Sequence, residues 1–187
     1  MTSKRVFDLI VGVPLALVSL PILITVGLAI SFIDGPPLLL RQSRVGARQI
    51  PFVMFKFRTM ATGVPVVAKS ALASDQALYT RLGPALRRSS LDELPQIINV
   101  LIGNMSLVGP RPALPSQHDL LELRRRKGVE VLQPGMTGLA QVKGREALTL
   151  SSKTRLEALY LRRRSAGLDL LIMVWTLRAL FASRGAY

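Results

Sequence analysis

The sequence predicts a mainly helical α+β protein, with an N-terminal membrane hairpin, interfacial amphipathic helices and a compact cytoplasmic domain carrying a few short strands. Three observations predict it. Residues 9–33 read LIVGVPLALVSLPILITVGLAISFI without a charge. Residues 52–60, FVMFKFRTM, alternate as a strand does. Beyond them lie stretches of helical length, two rich in cations (116–127 and 153–164) and one mostly apolar (168–181). The 187 residues are one domain's worth of chain. Residues 1–35 form the expected hairpin and 36–187 the expected cytoplasmic domain with its interfacial helices, the two making one structural unit.

Composition narrows the chemistry. Lys and Arg number 25 against 11 acids, a net charge of +14, yet 49% of residues are hydrophobic. A soluble nucleic-acid binder can be this basic but seldom carries so uninterrupted an apolar run, so nucleic acid is not an expected partner. Basic plus apolar points to an anionic membrane surface and to phosphates as ligands. With no cysteine and a single histidine, His118, thiolate chemistry and multi-histidine metal sites are excluded. Carboxylate chemistry remains, with a hard, oxygen-bound cation such as Mg²⁺ where a metal is needed.

At its length the run 9–33 would by default span a membrane, and it is too long for a signal-peptide core. Pro21, helped by Pro14 and Ser19, argues against a straight span, because each proline removes a helical hydrogen bond. Broken at Pro21, each arm reaches only about 18 Å at 1.5 Å per residue, short of the ~30 Å hydrocarbon core. Lys4 and Arg5 precede the run; Arg41, Arg44 and Arg48 follow it. Cations on both flanks put both ends in the cytoplasm, which a re-entrant hairpin satisfies.

Asp34-Gly35-Pro36-Pro37 is then a turn out of the membrane, and 38–42 a short strand or interfacial segment. In the strand 52–60, Lys56, Arg58 and Met60 share one face, opposite Phe55, Phe57 and Thr59. Residues 61–74 read as a loop and 75–88 as a short helix followed by a Gly83-Pro84 turn. The central stretch, 87–112, holds the only adjacent acids in the chain, Asp92 and Glu93, among Arg87, Arg88 and Arg111. By pattern alone Ser90-Leu91-Asp92-Glu93 fits a capping box, with Ser90 or Asp92 as the cap and both acids at the first turn of a helix continuing to Leu101. Residues 105–108 suit a short strand. Gly109-Pro110-Arg111-Pro112 is rigid and fixes the guanidinium of Arg111, as bidentate phosphate contact requires. In the helix 116–127, Arg124, Arg125, Arg126 and Lys127 read as a solvated or headgroup-facing run. A turn at 134–138 leads to a strand at 139–142. The second basic helix, 153–164, is followed by 168–181, whose Trp175 and flanking arginines favour the membrane interface.

Four motifs in order, KFRTM (56–60), LDELPQ (91–96), NVLIGNMSLVGPRP (99–112) and PGMTGLAQVKGR (134–145), resemble the bacterial sugar transferase family, over about residues 4–177. Its small members are monotopic phosphoglycosyl transferases of the bacterial inner (cytoplasmic) membrane, facing the cytoplasm. The resemblance implies transfer of a sugar-1-phosphate from a nucleotide (UDP) sugar to polyprenol (undecaprenyl) phosphate through a covalent phosphosugar–aspartate, with release of UMP. It makes Asp92 the nucleophile and Glu93 its partner, both serving Mg²⁺, and Lys56, Arg58, Arg87, Arg88, Arg111 and Arg145 contacts for phosphate or nucleotide. The family's membrane helix breaks at Ser-Pro; here the serine is displaced by one, as Ser19-Leu20-Pro21. The region after Met136 resembles members acting on UDP-linked acetamido sugars. Anionic lipids are further expected partners; a homodimer is one option for the oligomeric state. The alternative is a non-catalytic, basic, membrane-anchored binding or scaffold protein whose acids only cap a helix.

Overall fold

Helix α1 (Ser3–Ile33) runs for 31 residues through both prolines in the computed structural model, which describes residues 3–63, 78–144 and 147–182. The helical pattern, expected to break at Pro21, runs on past it. A proline withholds one donor, and the turns on either side carry the helix across that gap. The neighbouring hydroxyls stay within α1: Ser19 Oγ donates to the Ala16 carbonyl at 3.0 Å and Thr25 Oγ1 to the Pro21 carbonyl at 2.8 Å. At 1.5 Å per residue the path along α1 is about 46 Å. Among the described residues it is the one helix long and apolar enough to cross a membrane. Ile10, Leu17, Val18, Leu20 and Phe32 project from it into open space.

Both ends of α1 are tied to the rest of the chain. At the start, Lys4 Nζ bonds Asp8 at 3.0 Å and Asp169 at 2.7 Å, and Asp8 accepts from Ser106 Oγ at 3.0 Å and Leu107 N at 3.2 Å. Arg5 donates to the carbonyls of Val100 and Leu101. At the other end, Asp34 accepts from the backbone N–H of Arg81 at 2.9 Å and of Leu82 at 3.3 Å. Gly12 lies against Val100 and Leu101, and Gly27 against Phe57.

After the 34–37 turn come β1 (Leu39–Val45) and β2 (Pro51–Phe57), an antiparallel pair with Lys56 opposite Leu40 and Phe52 opposite Arg44. The strand expected over 52–60 thus ends at Phe57, and Met60 forms a bridge with Tyr79 instead. Of the loop expected at 61–74, residues 64–74 lie outside the described residues, as do 75–77 of the expected helix. Helix α2 (Gly83–Ser89) begins at the Gly-Pro pair rather than ending there, with proline in its tolerant first turn. A single 3₁₀ turn, Leu91–Glu93, and α3 (Gln96–Ile102) follow. Asn99, fully buried, joins α3 to β2: its Oδ1 accepts from Phe55 N at 3.0 Å and its Nδ2 donates to the Val53 carbonyl at 2.7 Å. The side-chain amide thereby satisfies a stretch of β2 backbone as another strand would.

Strand β3 (Ser106–Val108) pairs in parallel with β4 (Gly135–Thr137). Gly109 shows why glycine is needed there: a Cβ would collide with the Gln133 carbonyl and the Gly135 nitrogen, and at Gly138 one would collide with the Gly109 carbonyl. The two motifs at 109–112 and 134–138 therefore pack backbone on backbone. Helices α4 (His118–Arg126), α5 (Leu139–Lys143), α6 (Leu150–Arg163) and α7 (Ala166–Ala182) complete the fold. Residues 139–142, expected as a strand, form the helix α5; so short an apolar run does not distinguish the two by period. Nor is Arg124 solvated: it is buried, with Nε and Nη2 on Glu157 at 2.8 and 2.6 Å.

One core gathers Met54, Ile97, Val100, Met105, Leu107, Val108, Tyr160 and Ile172; a second joins Val26 and Ile30 of α1 to Phe57 and Leu86. The mostly helical architecture with a few short strands agrees with the sequence expectation. Replacing Asn99 by leucine leaves Phe55 N and the Val53 carbonyl without their partner in the core. Asn99→Leu should lower unfolding stability by about 2–4 kcal/mol, read as a reduced midpoint in denaturant titration of the detergent-solubilised protein.

Candidate active site

The acids sit in a 3₁₀ turn between two short helices, not in the first turn of a longer one. Ser90 ends α2 in the left-handed conformation at φ 57°, and its side chain makes no capping bond. A capping box needs an extended residue there and a free glutamate. Glu93 is not free, so the capping reading is overturned. Its Oε1 lies 2.7 Å from Lys56 Nζ and 2.8 Å from Arg111 Nη2, and its Oε2 3.4 Å from Arg111 Nη1.

Lys56 reaches Glu93 from β2, whose alternation puts it on the same face as the buried Met54. Its side chain is only 13% exposed, against 25% for Glu93 and 49% for Arg111. Burial pushes the Lys56 ammonium below its usual pKa, against the opposing pull of Glu93. Burial would raise Glu93, but Arg111 and Lys56 outweigh it and hold the carboxyl well below the usual range. Glu93 is therefore a carboxylate at neutral pH.

Asp92 differs in every respect. The residue is 8% exposed, and its carboxylate has no hydrogen bond or ion pair among the described residues. Its pKa is raised to about 6, first by burial and next by the charge of Glu93, with Lys56, Arg87 and Arg111 pulling the other way. One acid of the pair is neutralised; its neighbour is left uncompensated within reach of three cations.

Arg87 approaches from α2. Its Nε donates to Thr59 Oγ1 at 3.0 Å, its Nη1 lies 3.4 Å from the Tyr79 hydroxyl, and the guanidinium stacks 4.9 Å from that ring. Arg88, next in sequence, is exposed. Arg58 is elsewhere: it donates to the carbonyls of Asp34, Gly35 and Pro36 at 2.7–2.8 Å, clamping the exit from α1. Arg145 lies outside the described residues. The structure thus brings Asp92, Glu93, Lys56, Arg87 and Arg111 together and turns Arg58 away. Ser19 and Pro21 lie in the apolar helix α1.

Arg44 escaped the sequence reading, which counted it only as a charge flanking the apolar run. Burial and the nearby Arg111 lower its pKa to about 10, while Glu93 opposes them, so it belongs to the same electrostatic cluster. The available signal was alternation: Gln42 and Arg44 share a face of β1, and β1 pairs with the strand that carries Lys56.

Among the described residues no three His, Cys, Asp or Glu gather as a ready metal cage. Mg²⁺ does not require one, being bound through one or two carboxylates together with substrate phosphates and water. Asp92 fits that mode, and Glu93, with both oxygens facing cations, does not.

Comparison with known proteins agrees with the arrangement of motifs. The chain is 39% identical over 186 residues to the uncharacterized sugar transferase EpsL of Bacillus subtilis, covering 99% of this chain and 90% of that one. It is 37% identical to the UDP-glucose:undecaprenyl-phosphate glucose-1-phosphate transferase of Caulobacter vibrioides, over 98% of this chain and 72% of the relative. The undecaprenyl-phosphate glucose phosphotransferase of Komagataeibacter xylinus is 38% identical, the whole of this chain matching 37% of that longer protein. Residues 1–183 match the bacterial sugar transferase family, and the chain belongs to it.

Proposed function

We propose that this protein transfers a sugar-1-phosphate from a UDP-sugar to undecaprenyl phosphate, in two steps through a phosphosugar ester of Asp92. The observation that carries the reading is the split within the acid pair: Glu93 bound by Lys56 and Arg111, Asp92 buried and unpaired among the described residues. A nucleophile must be ionised yet not neutralised by a salt bridge of its own. With a pKa of about 6, Asp92 is mostly carboxylate at neutral pH.

In the first step an oxygen of Asp92 attacks the phosphorus that bears the sugar. The bond from that phosphorus to the bridging oxygen breaks, and its electron pair leaves on UMP. In the second step a phosphate oxygen of undecaprenyl phosphate attacks the same phosphorus. The acyl-phosphate bond breaks, Asp92 regains its carboxylate, and the product is an undecaprenyl diphosphate sugar. Both steps bring anions together, so Lys56, Arg87 and Arg111 serve by neutralising phosphate charge in place. Glu93, too acidic to accept a proton, fixes Lys56 and Arg111 so that their charge is already aimed when substrate arrives. Mg²⁺, held by Asp92 and the diphosphate, would supply further charge neutralisation.

Glucose and galactose stand in the names of relatives, so UDP-glucose and UDP-galactose come before UDP-acetamido sugars in an assay. Asp92→Asn should abolish UMP release and any labelled adduct formed from a sugar-labelled UDP-sugar without lipid acceptor. Because folding raises the Asp92 pKa from 3.8 to about 6, its ionised form costs stability above that range. The asparagine variant should therefore melt no lower than the parent at pH 7–8, with a gain of at most about 3 kcal/mol. Glu93→Gln should retain a trace of adduct and lose most turnover. Exhaustive EDTA treatment should stop UMP release and Mg²⁺ restore it. A folded Asp92→Asn that still turns over would reduce Asp92 to a structural role, and no turnover by the parent with any UDP-sugar would favour the scaffold alternative.

For topology we propose a re-entrant α1, with both termini of the helix on the cytoplasmic face and residues 1–35 and 36–187 forming one unit. Support comes from Lys4, Arg5 and Asp8 at one end and Asp34 at the other, all bonded to the same domain, with bare apolar surface between. Leu170, Leu171, Val174 and Leu177 of α7 are exposed and suit the lipid interface, where the basic surface meets anionic headgroups. A cysteine placed at residue 2 should resist membrane-impermeant thiol reagents in intact cells and react after permeabilisation. Labelling of intact cells would mean a straight span.

A further inference from the structure

The backbone around Arg111 is held at four consecutive carbonyls. That of Pro110 accepts from Gly135 N at 2.8 Å and that of Ala113 from Val45 N at 3.0 Å. Between them, the Arg111 carbonyl accepts from Arg124 Nη2 at 2.9 Å and the Pro112 carbonyl from Arg44 Nη1 at 3.1 Å. The donors come from β4, α4 and β1. Prolines at 110 and 112 already fix φ at those positions. What remains free is the tilt of the two peptide planes on either side of Pro112, which carry the Arg111 and Pro112 carbonyls, and the two arginines fix that.

Each of these arginines is itself braced. Arg124 is locked by its two-point bridge to the buried Glu157. Arg44 is held by Gln42 Oε1, which accepts from Nε at 2.9 Å and also from Nη2. All three nitrogens of Arg44 are thus engaged within the protein, an arrangement that suits a brace rather than a phosphate ligand. Like charge adds to the effect, since two guanidinium groups close together repel and the outer one is driven toward the nearest carboxylate.

We infer that Arg44 is a positioning residue for the transfer reaction: it fixes the Pro112 peptide and directs the Arg111 guanidinium onto Glu93 and the substrate phosphate beyond. Arg44 acts only through Arg111. Arg124 does the same from the opposite side, but its removal would strand Glu157 in the core and destabilise the fold, so Arg44 is the arm to test.

The inference rests on the transferase reading above, and a double-mutant cycle between Arg44 and Arg111 separates the two. The readout is kcat/KM for UMP release by the full-length protein in detergent with a UDP-sugar and undecaprenyl phosphate. Arg44→Gln and Arg111→Ala should each lower it about 10- to 100-fold, and the double variant should be no worse than Arg111→Ala alone. Arg44→Lys keeps the charge but cannot hold Gln42 and Pro112 together, so it should recover only a minor part. Should Arg44→Gln fail to fold, Gln42→Leu releases the same brace and enters the same cycle. Multiplicative losses, full recovery by lysine, or a change under twofold in Arg44→Gln would each overturn the inference while leaving the transferase reading intact. A parent protein that releases no UMP would overturn both.

Discussion

The site depends on one carboxylate meeting two cations: Glu93 between Lys56 of β2 and Arg111 of the 109–112 segment. That contact joins three parts of the chain, the β1–β2 strand pair, the acid-bearing turn and the rigid Gly-Pro-Arg-Pro segment. It also determines the state of Asp92. If Glu93 were unpaired, two buried carboxylates would compete for one proton and the pair would titrate as a dyad. With Glu93 held by its two cations, burial first and the Glu93 charge next raise Asp92 only to about 6, which leaves a carboxylate that is mostly ionised at neutral pH and not spent on a salt bridge.

Much of the remaining structure holds these three parts in register. Asn99 ties α3 to β2 and so sets Lys56 above the turn. The contact of Gly109 with residues 133–138 leaves no room for side chains, which accounts for glycine in two motifs lying far apart in the sequence. Arg58, at the end of the strand bearing Lys56, holds the carbonyls that close α1. The clamp on the exit from α1 and the Lys56 contact with Glu93 are therefore two residues apart in the chain.

The elements with strong local signals were legible in the sequence: the apolar helix, the alternating strand, the charged helices and the acid pair with its cations. The errors share a physical cause, which is long-range partners overriding local pattern. Ser90-Leu91-Asp92-Glu93 reads as a capping box until Lys56 and Arg111 claim Glu93. Arg124 reads as one cation in a solvated run until Glu157, on a helix distant in sequence, claims it. Pro21 reads as a break in the helix, but its cost is one hydrogen bond and the helical pattern of α1 continues past it. Arg58 matched a motif for its neighbour's reason: the motif records Lys56 at the site and Arg58 at the turn, and sequence alone does not separate the two.

The central claim is that Asp92 reacts as a carboxylate whose pKa is raised first by burial and next by Glu93. It is tested most directly by the pH dependence of the first half-reaction, labelled adduct formed from a UDP-sugar without lipid, so that titration of the lipid phosphate plays no part. The kcat/KM for adduct formation should fall as pH drops through about 6, where Asp92 takes up its proton. In Glu93→Gln that limb should move to lower pH, because the neighbouring negative charge is gone and the cations it held now act on Asp92 alone. A rate independent of pH between 5 and 8, or a limb that stays or rises in Glu93→Gln, would contradict the account.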